Sequence, residues 1–190
     1  MRLFACLTPP QWLAEHLAPA LPALPEEARA IPPQRWHLTL AFYGELDATG
    51  AACVERRLQQ RLRDPAAAPG GRASALSLQV AGGSAFGAAV AYLAVEGAAA
   101  GDTARLRSIA EVCLRVGKAC DAPGAQGRER FRPHITVARA RRHRSLPADY
   151  TQRLGEVRSP VWTAERVELL VSLPGQQPRY DVVRSYPVAP

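Results

Sequence analysis

The sequence predicts an α+β chain built as two similar lobes that face each other across a cleft. Three observations predict it. A phrase of His, an apolar residue, Thr and a second apolar residue occurs twice, in "WHLTLAFYGE" (36–45) and "RPHITVARAR" (132–141). Each copy falls on strand-like sequence that follows a strand-then-helix pair. The two histidines, His37 and His134, stand 97 residues apart (134 minus 37), about half of the 190-residue chain. An internal duplication of one lobe explains all three, with the matching strands opposed about a pseudo-two-fold axis.

The elements follow in order. Arg2 to Leu7 alternates around β-formers and reads as a strand. Thr8 offers an N-cap with Pro9 just after it, and Trp12, Leu13, His16 and Leu17 follow at helical spacing. "APALPALPEEARAIPP" is proline-rich and predicts irregular connection. Trp36 to Tyr43 is strand-like. Asp47 can cap a helix running to about Leu62, with Val54, Leu58 and Leu62 on one stripe. "RDPAAAPGGR" predicts a loop. Strands at Ser74 to Val80 and Val90 to Val95 are joined by the glycine-rich "AGGSAFG" as a hairpin-type connection. Asp102 caps the most regular helix, whose buried face is Leu106, Ile109, Ala110, Cys113 and Val116 or Gly117. Gly124 and Gly127 break the chain before a strand from Phe131 to Ala138. A basic loop, Arg139 to Arg144, precedes closing strands at Arg166 to Ser172 and Tyr180 to Tyr186.

Strand side chains alternate between faces. His37, Thr39 and Ala41 then share one face, with Leu38, Leu40 and Phe42 opposite. His134, Thr136 and Ala138 share a face, with Ile135 and Val137 opposite. Each phrase thus buries an aliphatic face and presents His and Thr on the other. Two such faces across a cleft bring two imidazoles and two hydroxyls together. That set suits phosphodiester cleavage by in-line attack. Imidazole titrates near neutrality, so one ring can take the nucleophile's proton while the other donates to the leaving oxygen. The Thr hydroxyls can donate to the non-bridging oxygens, and no metal or other cofactor is required. A lone His-x-Thr is more often structural; two copies in matched contexts favour catalysis. His16 and His143 are given no role.

The net charge is +7, with 24 Lys plus Arg against 17 acids, and Lys118 is the only lysine. Guanidinium suits phosphate oxygens, so the charge favours a polyanionic partner such as RNA; a general bias towards Arg, Ala and Pro accounts for it equally well. No apolar run is long enough to cross a bilayer. The start, "MRLFACLTPP", reads as a strand rather than a signal peptide, which favours the cytoplasm. Cys6, Cys53, Cys113 and Cys120 form no C-x-x-C pair, so a zinc site is not expected, and disulfides are not expected either. Cys6 and Cys113 read as small buried hydrophobes.

At the paired motifs the sequence resembles the two-histidine phosphoesterase superfamily, and within it the RNA 2',3'-cyclic phosphodiesterases first described as 2'-5' RNA ligases. "RLFACLTPP", "WHLTLAFYGEL", "RFRPHITVARAR" and "VELLVSLPGQQPRYDVVRSYPV" carry the likeness over most of the chain. The resemblance implies one bilobal α+β domain over residues 1–190, with an antiparallel sheet in each lobe and a central cleft. It implies hydrolysis of 2',3'-cyclic phosphate RNA ends to 2'-phosphates, tRNA fragments being among the candidate substrates. His37 would be the proton donor to the ribose 3'-oxygen and His134 the acceptor that activates water. Thr39 and Thr136 would hold phosphate oxygens. It also implies an anion-binding arginine at Arg139, although strand parity turns Arg139 away from His134 unless the strand ends or bulges at Ala138. Arg130 and Arg132 would share the His134 face if the strand extended back past Pro133. No metal, no membrane partner and a monomer are expected. Competing readings are 2'-5' ligation, hydrolysis of another cyclic or 2'-5' nucleotide, a non-catalytic RNA-binding module, and histidines serving only the core.

Overall fold

The structure is a computed structural model that describes residues 1–63, 75–126, 130–173, 175 and 179–188. The loop expected at "RDPAAAPGGR" and the break at Gly127 fall mostly outside the described residues. Strand β1 (Arg2–Leu7) lies between β3 (Leu38–Glu45) and β8 (Arg166–Leu173), antiparallel to both. Both its faces are covered, which is why five of its six residues are buried and the segment reads as a nearly continuous apolar run. On the other side, β5 (Val90–Gly97) lies between β4 (Leu76–Phe86) and β6 (His134–Ala140). The halves join where Leu38 of β3 pairs Ile135 of β6. Completed by β7 (Trp162–Ala164) on β4 and β9 (Arg179–Pro187) on β8, the antiparallel sheet runs β7-β4-β5-β6-β3-β1-β8-β9. The two expected sheets are therefore two halves of one.

The duplicated order is present. β1 and helix α1 (Gln11–Leu17) precede β3, and β5 and helix α3 (Asp102–Ala119) precede β6. Helix α3 packs on β3, β4 and β5, α2 (Ala48–Arg63) on α3 and β9, and α4 (Ala148–Leu154) on β4 and β5. Gly117 permits a close helix-to-sheet approach, because a Cβ there would lie 2.8 Å from the Tyr43 ring. The main core lies under this helical layer. A smaller cluster of Phe4, Cys6 and Leu170, flanked by Phe42 and Tyr180, covers the opposite face of β1.

Several expectations are corrected. The proline-rich connection contains a short strand, β2 (Ala28–Ala30), which pairs β6 in the register Ala28 to Ala140, Arg29 to Arg139 and Ala30 to Ala138. The glycine-rich hairpin segment is mostly strand. β4 runs through to Phe86, with a register shift between Val80 and Gly83, and the turn comes only at Gly87 to Ala89. A side chain at Gly83 would meet the Tyr92 carbonyl at 2.4 Å, so the close pairing requires glycine there. Thr8 does not cap α1; its hydroxyl donates to Glu168 on β8, and the helix begins at Gln11. Trp12 and His16 are exposed, and Leu13, Ala14 and Leu17 form the buried stripe. Asp102 is the first residue of α3, and its carboxylate accepts from the backbone N–H of Ser77 and Ala99. Asp47 does cap α2, accepting from Gly50 N–H at 2.7 Å.

The cysteine expectation fails for one pair. Cys53 on α2 and Cys120 just past α3 form a disulfide, because the packed helices bring their Cα atoms to 5.9 Å. Cys6 and Cys113 are buried free thiols, and burial pushes the Cys113 thiol up to about 12. Among the described residues no helix is long and apolar enough to cross a membrane.

Candidate active site

The Leu38–Ile135 pair fixes how the two motifs meet. Continuing that antiparallel register sets His37 opposite Thr136 and Thr39 opposite His134. The four side chains thus come from two strands at the junction of the halves, with both histidines half-buried. Each imidazole is held in the same way. His37 Nδ1 lies 2.8 Å from the carbonyl of Arg35, two residues back, and His134 Nδ1 lies 2.7 Å from the carbonyl of Arg132. A carbonyl can only accept, so Nδ1 carries a proton in both rings. Proton exchange with a ligand then falls to Nε2 in each. Aromatic rings flank both. Phe4 and Tyr180 lie 4.9 and 5.2 Å from the His37 ring centroid. Phe86 and Tyr92 lie 4.8 and 5.5 Å from that of His134.

Strict strand parity fails after each motif, and in the same way. β3 shifts register against β1 so that Ala5 pairs Ala41 while Cys6 pairs Thr39, leaving Leu40 as an extra residue. β6 shifts against β5 so that Ala91 pairs Ala138 while Tyr92 pairs Thr136, leaving Val137 extra. Leu40 and Ala41 are both buried, as are Val137 and Ala138. Each bulge flips the residues beyond it. Phe42 therefore joins the His37 face, against the simple alternation. Arg139 turns back towards the histidines, as the expectation of a bulge at Ala138 allowed. Phe42 and Arg139 are each five residues past a motif histidine, so they are counterparts in the duplication. The repeat is in fact R-x-H-x-T-x-A, with Arg35 and Arg132 at its head.

A pocket of about 490 Å³ opens on the His37 side. Among the described residues Thr39, Phe42, Tyr180 and four arginines, Arg2, Arg29, Arg35 and Arg139, line it, and no acidic residue does. His134 and Thr136 lie outside its wall. Arg2 sits over the Phe42 ring at 5.0 Å and Arg35 over the Tyr180 ring at 5.2 Å. Arg2, Arg29, Arg35, Phe42 and the flanking aromatics were not among the sequence-predicted site residues. The matching offsets of Phe42 and Arg139, and the arginine at the head of each repeat, offered a signal. Strand β6 begins at His134, so Arg132 contributes its carbonyl and Arg130 lines a different pocket with Leu40 and Arg107.

Burial pushes the His37 pKa below its ordinary value. The Arg35 carbonyl acts against this by stabilising the imidazolium, while the charges of His134, Arg35 and Arg139 reinforce it. Arg139 thus acts electrostatically on His37 from the other strand. Among the described residues no group of three His, Cys, Asp or Glu side chains is arranged to hold a metal.

Comparison with known proteins is consistent with this geometry. The model of the 2'-5' RNA ligase superfamily matches residues 9–176. Among solved structures, Escherichia coli LigT in complex with 3'-AMP superposes with a TM-score of 0.71 at 20% identity, over 98% of this chain and 97% of that one. The Thermus thermophilus protein TT0787 gives 0.70 at 22% identity, over 99% and 98%. A structure described as a phosphoesterase gives 0.70 at 18%, over 100% and 99%. These likenesses show a shared fold. No curated protein matches the chain by sequence. The family match spans most of the chain, and the chain belongs to the 2'-5' RNA ligase superfamily.

Proposed function

We propose that the protein hydrolyses 2',3'-cyclic phosphate ends of RNA to 2'-phosphates, without a metal, using the two motif histidines. The observation that carries this reading is the antiparallel crossing of two identically held His-x-Thr pairs beside an arginine-lined pocket. A cyclic phosphate placed between the strands meets both imidazoles. His134 Nε2 takes a proton from water as its oxygen attacks phosphorus. The bond from phosphorus to the ribose 3'-oxygen breaks in line, and the His37 imidazolium donates its Nε2 proton to that oxygen. Thr39, Thr136 and Arg139 hold the non-bridging oxygens, where charge accumulates. Burial disfavours the charged form of the His37 ring in the free protein. The arriving anion offsets that and charges the ring where the acid is needed.

His37→Ala and His134→Ala should each lower release of 2'-phosphate from a cyclic-ended oligonucleotide by about 10²–10⁴-fold. Retained activity in either variant discards the assigned role, and inhibition by EDTA points to a metal-dependent reaction instead. The family description favours a second reading, 2'-5' ligation, in which a 5'-hydroxyl replaces water as nucleophile. Comparing kcat/KM for cyclic-ended RNA, cyclic mononucleotides and 2'-5' oligomers ranks these substrates. A cytoplasmic site of action, on substrates such as tRNA fragments, fits the same reading.

A further inference from the structure

The pocket beside His37 holds more positive charge than one reacting phosphate uses. Arg29 and Arg139 are direct cross-strand partners on β2 and β6. Like charges in such positions repel. Among the described residues none of Arg2, Arg29, Arg35 and Arg139 takes part in an ion pair. Arg35 Nε is buried and has no hydrogen-bond partner there. A cyclic phosphate carries a single negative charge. Along β6, Arg139 stands three positions past Thr136, with Val137 the extra residue between them, so the backbone of the Arg29–Arg139 pair lies about 7–10 Å along the strand from the motif hydroxyls. Arg139, whose charge acts on His37, faces the reacting phosphate, whereas Arg29, one strand further out, is placed for a neighbouring group of the same nucleotide.

We propose that Arg29, with Arg35 beside it, forms a second phosphate subsite next to the one Arg139 serves. It would receive the phosphate on the 5'-oxygen of the nucleotide whose 2',3'-phosphate reacts. This rests on the function proposed above and adds a specificity to it. The protein selects nucleotide ends that carry a second phosphate one ribose away over cyclic nucleosides with a free 5'-hydroxyl. Arg29 is exposed, so its replacement leaves the packing of β2 intact.

The test compares three substrates: adenosine 2',3'-cyclic phosphate, the same compound with a 5'-phosphate, and a dinucleotide ending in it. The phosphate-bearing substrates should exceed the first in kcat/KM by about 10- to 100-fold, the scale of charged hydrogen bonds. In Arg29→Gln that ratio should fall towards one. Preference for the dinucleotide identifies an RNA end as the ligand; preference for the 5'-phosphate alone identifies a free nucleotide. A ratio near one in the wild type, or one unchanged in Arg29→Gln, overturns the subsite. Calorimetric binding of adenosine 2'-phosphate and adenosine 2',5'-bisphosphate separates this from the reaction itself. If no cyclic substrate turns over but the bisphosphate binds more tightly and loses that advantage in Arg29→Gln, the subsite stands and the hydrolytic reading falls. If turnover proceeds and the bisphosphate has no advantage, the subsite falls alone.

Discussion

Replacing Arg139 by Gln removes one charge while keeping a polar side chain of similar reach. The β6 bulge turns Arg139 towards the histidines, and its charge helps to hold the His37 pKa down. Two effects follow from the same substitution. Loss of a charged hydrogen bond to phosphate costs about 1.5–3 kcal/mol, which lowers kcat/KM by about 10- to 150-fold. Loss of the charge also raises the His37 pKa, though by less than burial lowers it. Arg139 is exposed, so folding stability should stay within about 0.5 kcal/mol of wild type. Initial rates on a cyclic-ended oligonucleotide, an NMR titration of His37 and a urea melt read the three quantities on one preparation. A kcat/KM within twofold of wild type, together with an unmoved His37 titration, would show that Arg139 serves neither the anion nor the imidazole.

Three other outcomes are expected. In the unfolded chain His37 titrates near 6.5, and in the folded protein it titrates lower. Between those values the unfolded state binds more protons, so stability rises with pH through that window and is lost as pH falls through it. Urea melts from pH 5 to 7.5 should show that slope weakened in His37→Asn; an unchanged slope assigns it elsewhere. Alkylation of unfolded, unreduced protein should label two thiols, Cys6 and Cys113, rising to four after reduction. With Cys53 and Cys120 separated by 67 positions, reduction should cost about 4 kcal/mol, measured by melts with and without reductant. Leu38 is fully buried where the two sheet halves meet, and Leu38→Ala should cost about 2–5 kcal/mol in a urea melt. A loss below 1 kcal/mol would mean that the junction is not a packed seam.

The motifs were legible because their signal is local. Two short phrases, their strand contexts and the alternation around them placed His37, Thr39, His134 and Thr136 on strands β3 and β6 or at their edges. The bulges were not legible, because an extra residue is defined only against the neighbouring strand. Phe42 was therefore assigned to the wrong face, and Arg139 could be placed only conditionally. β2 was hidden because its three residues owe their extension to pairing with β6, inside a stretch that reads as proline-rich connection. The caps divide in the same way. Asp47 capped its helix, whereas Thr8 and Asp102 were drawn to Glu168 and to the backbone of Ser77 and Ala99. The Cys53–Cys120 bond depends on how α2 lies against α3, which no local pattern encodes. The arginine pocket likewise gathers Arg2, Arg29, Arg35 and Arg139 from four strands or turns.

The proposed function ties these residues together at one phosphorus atom served by both motifs. Titrating the protein with adenosine 2'-phosphate while following the imidazole nitrogen signals tests this directly. The His37 and His134 signals should shift together along one isotherm, with a single dissociation constant, and Thr39→Ala and Thr136→Ala should each weaken it. Movement of one ring while the other stays still, or two different constants, would place the histidines in separate sites and contradict a shared reaction centre.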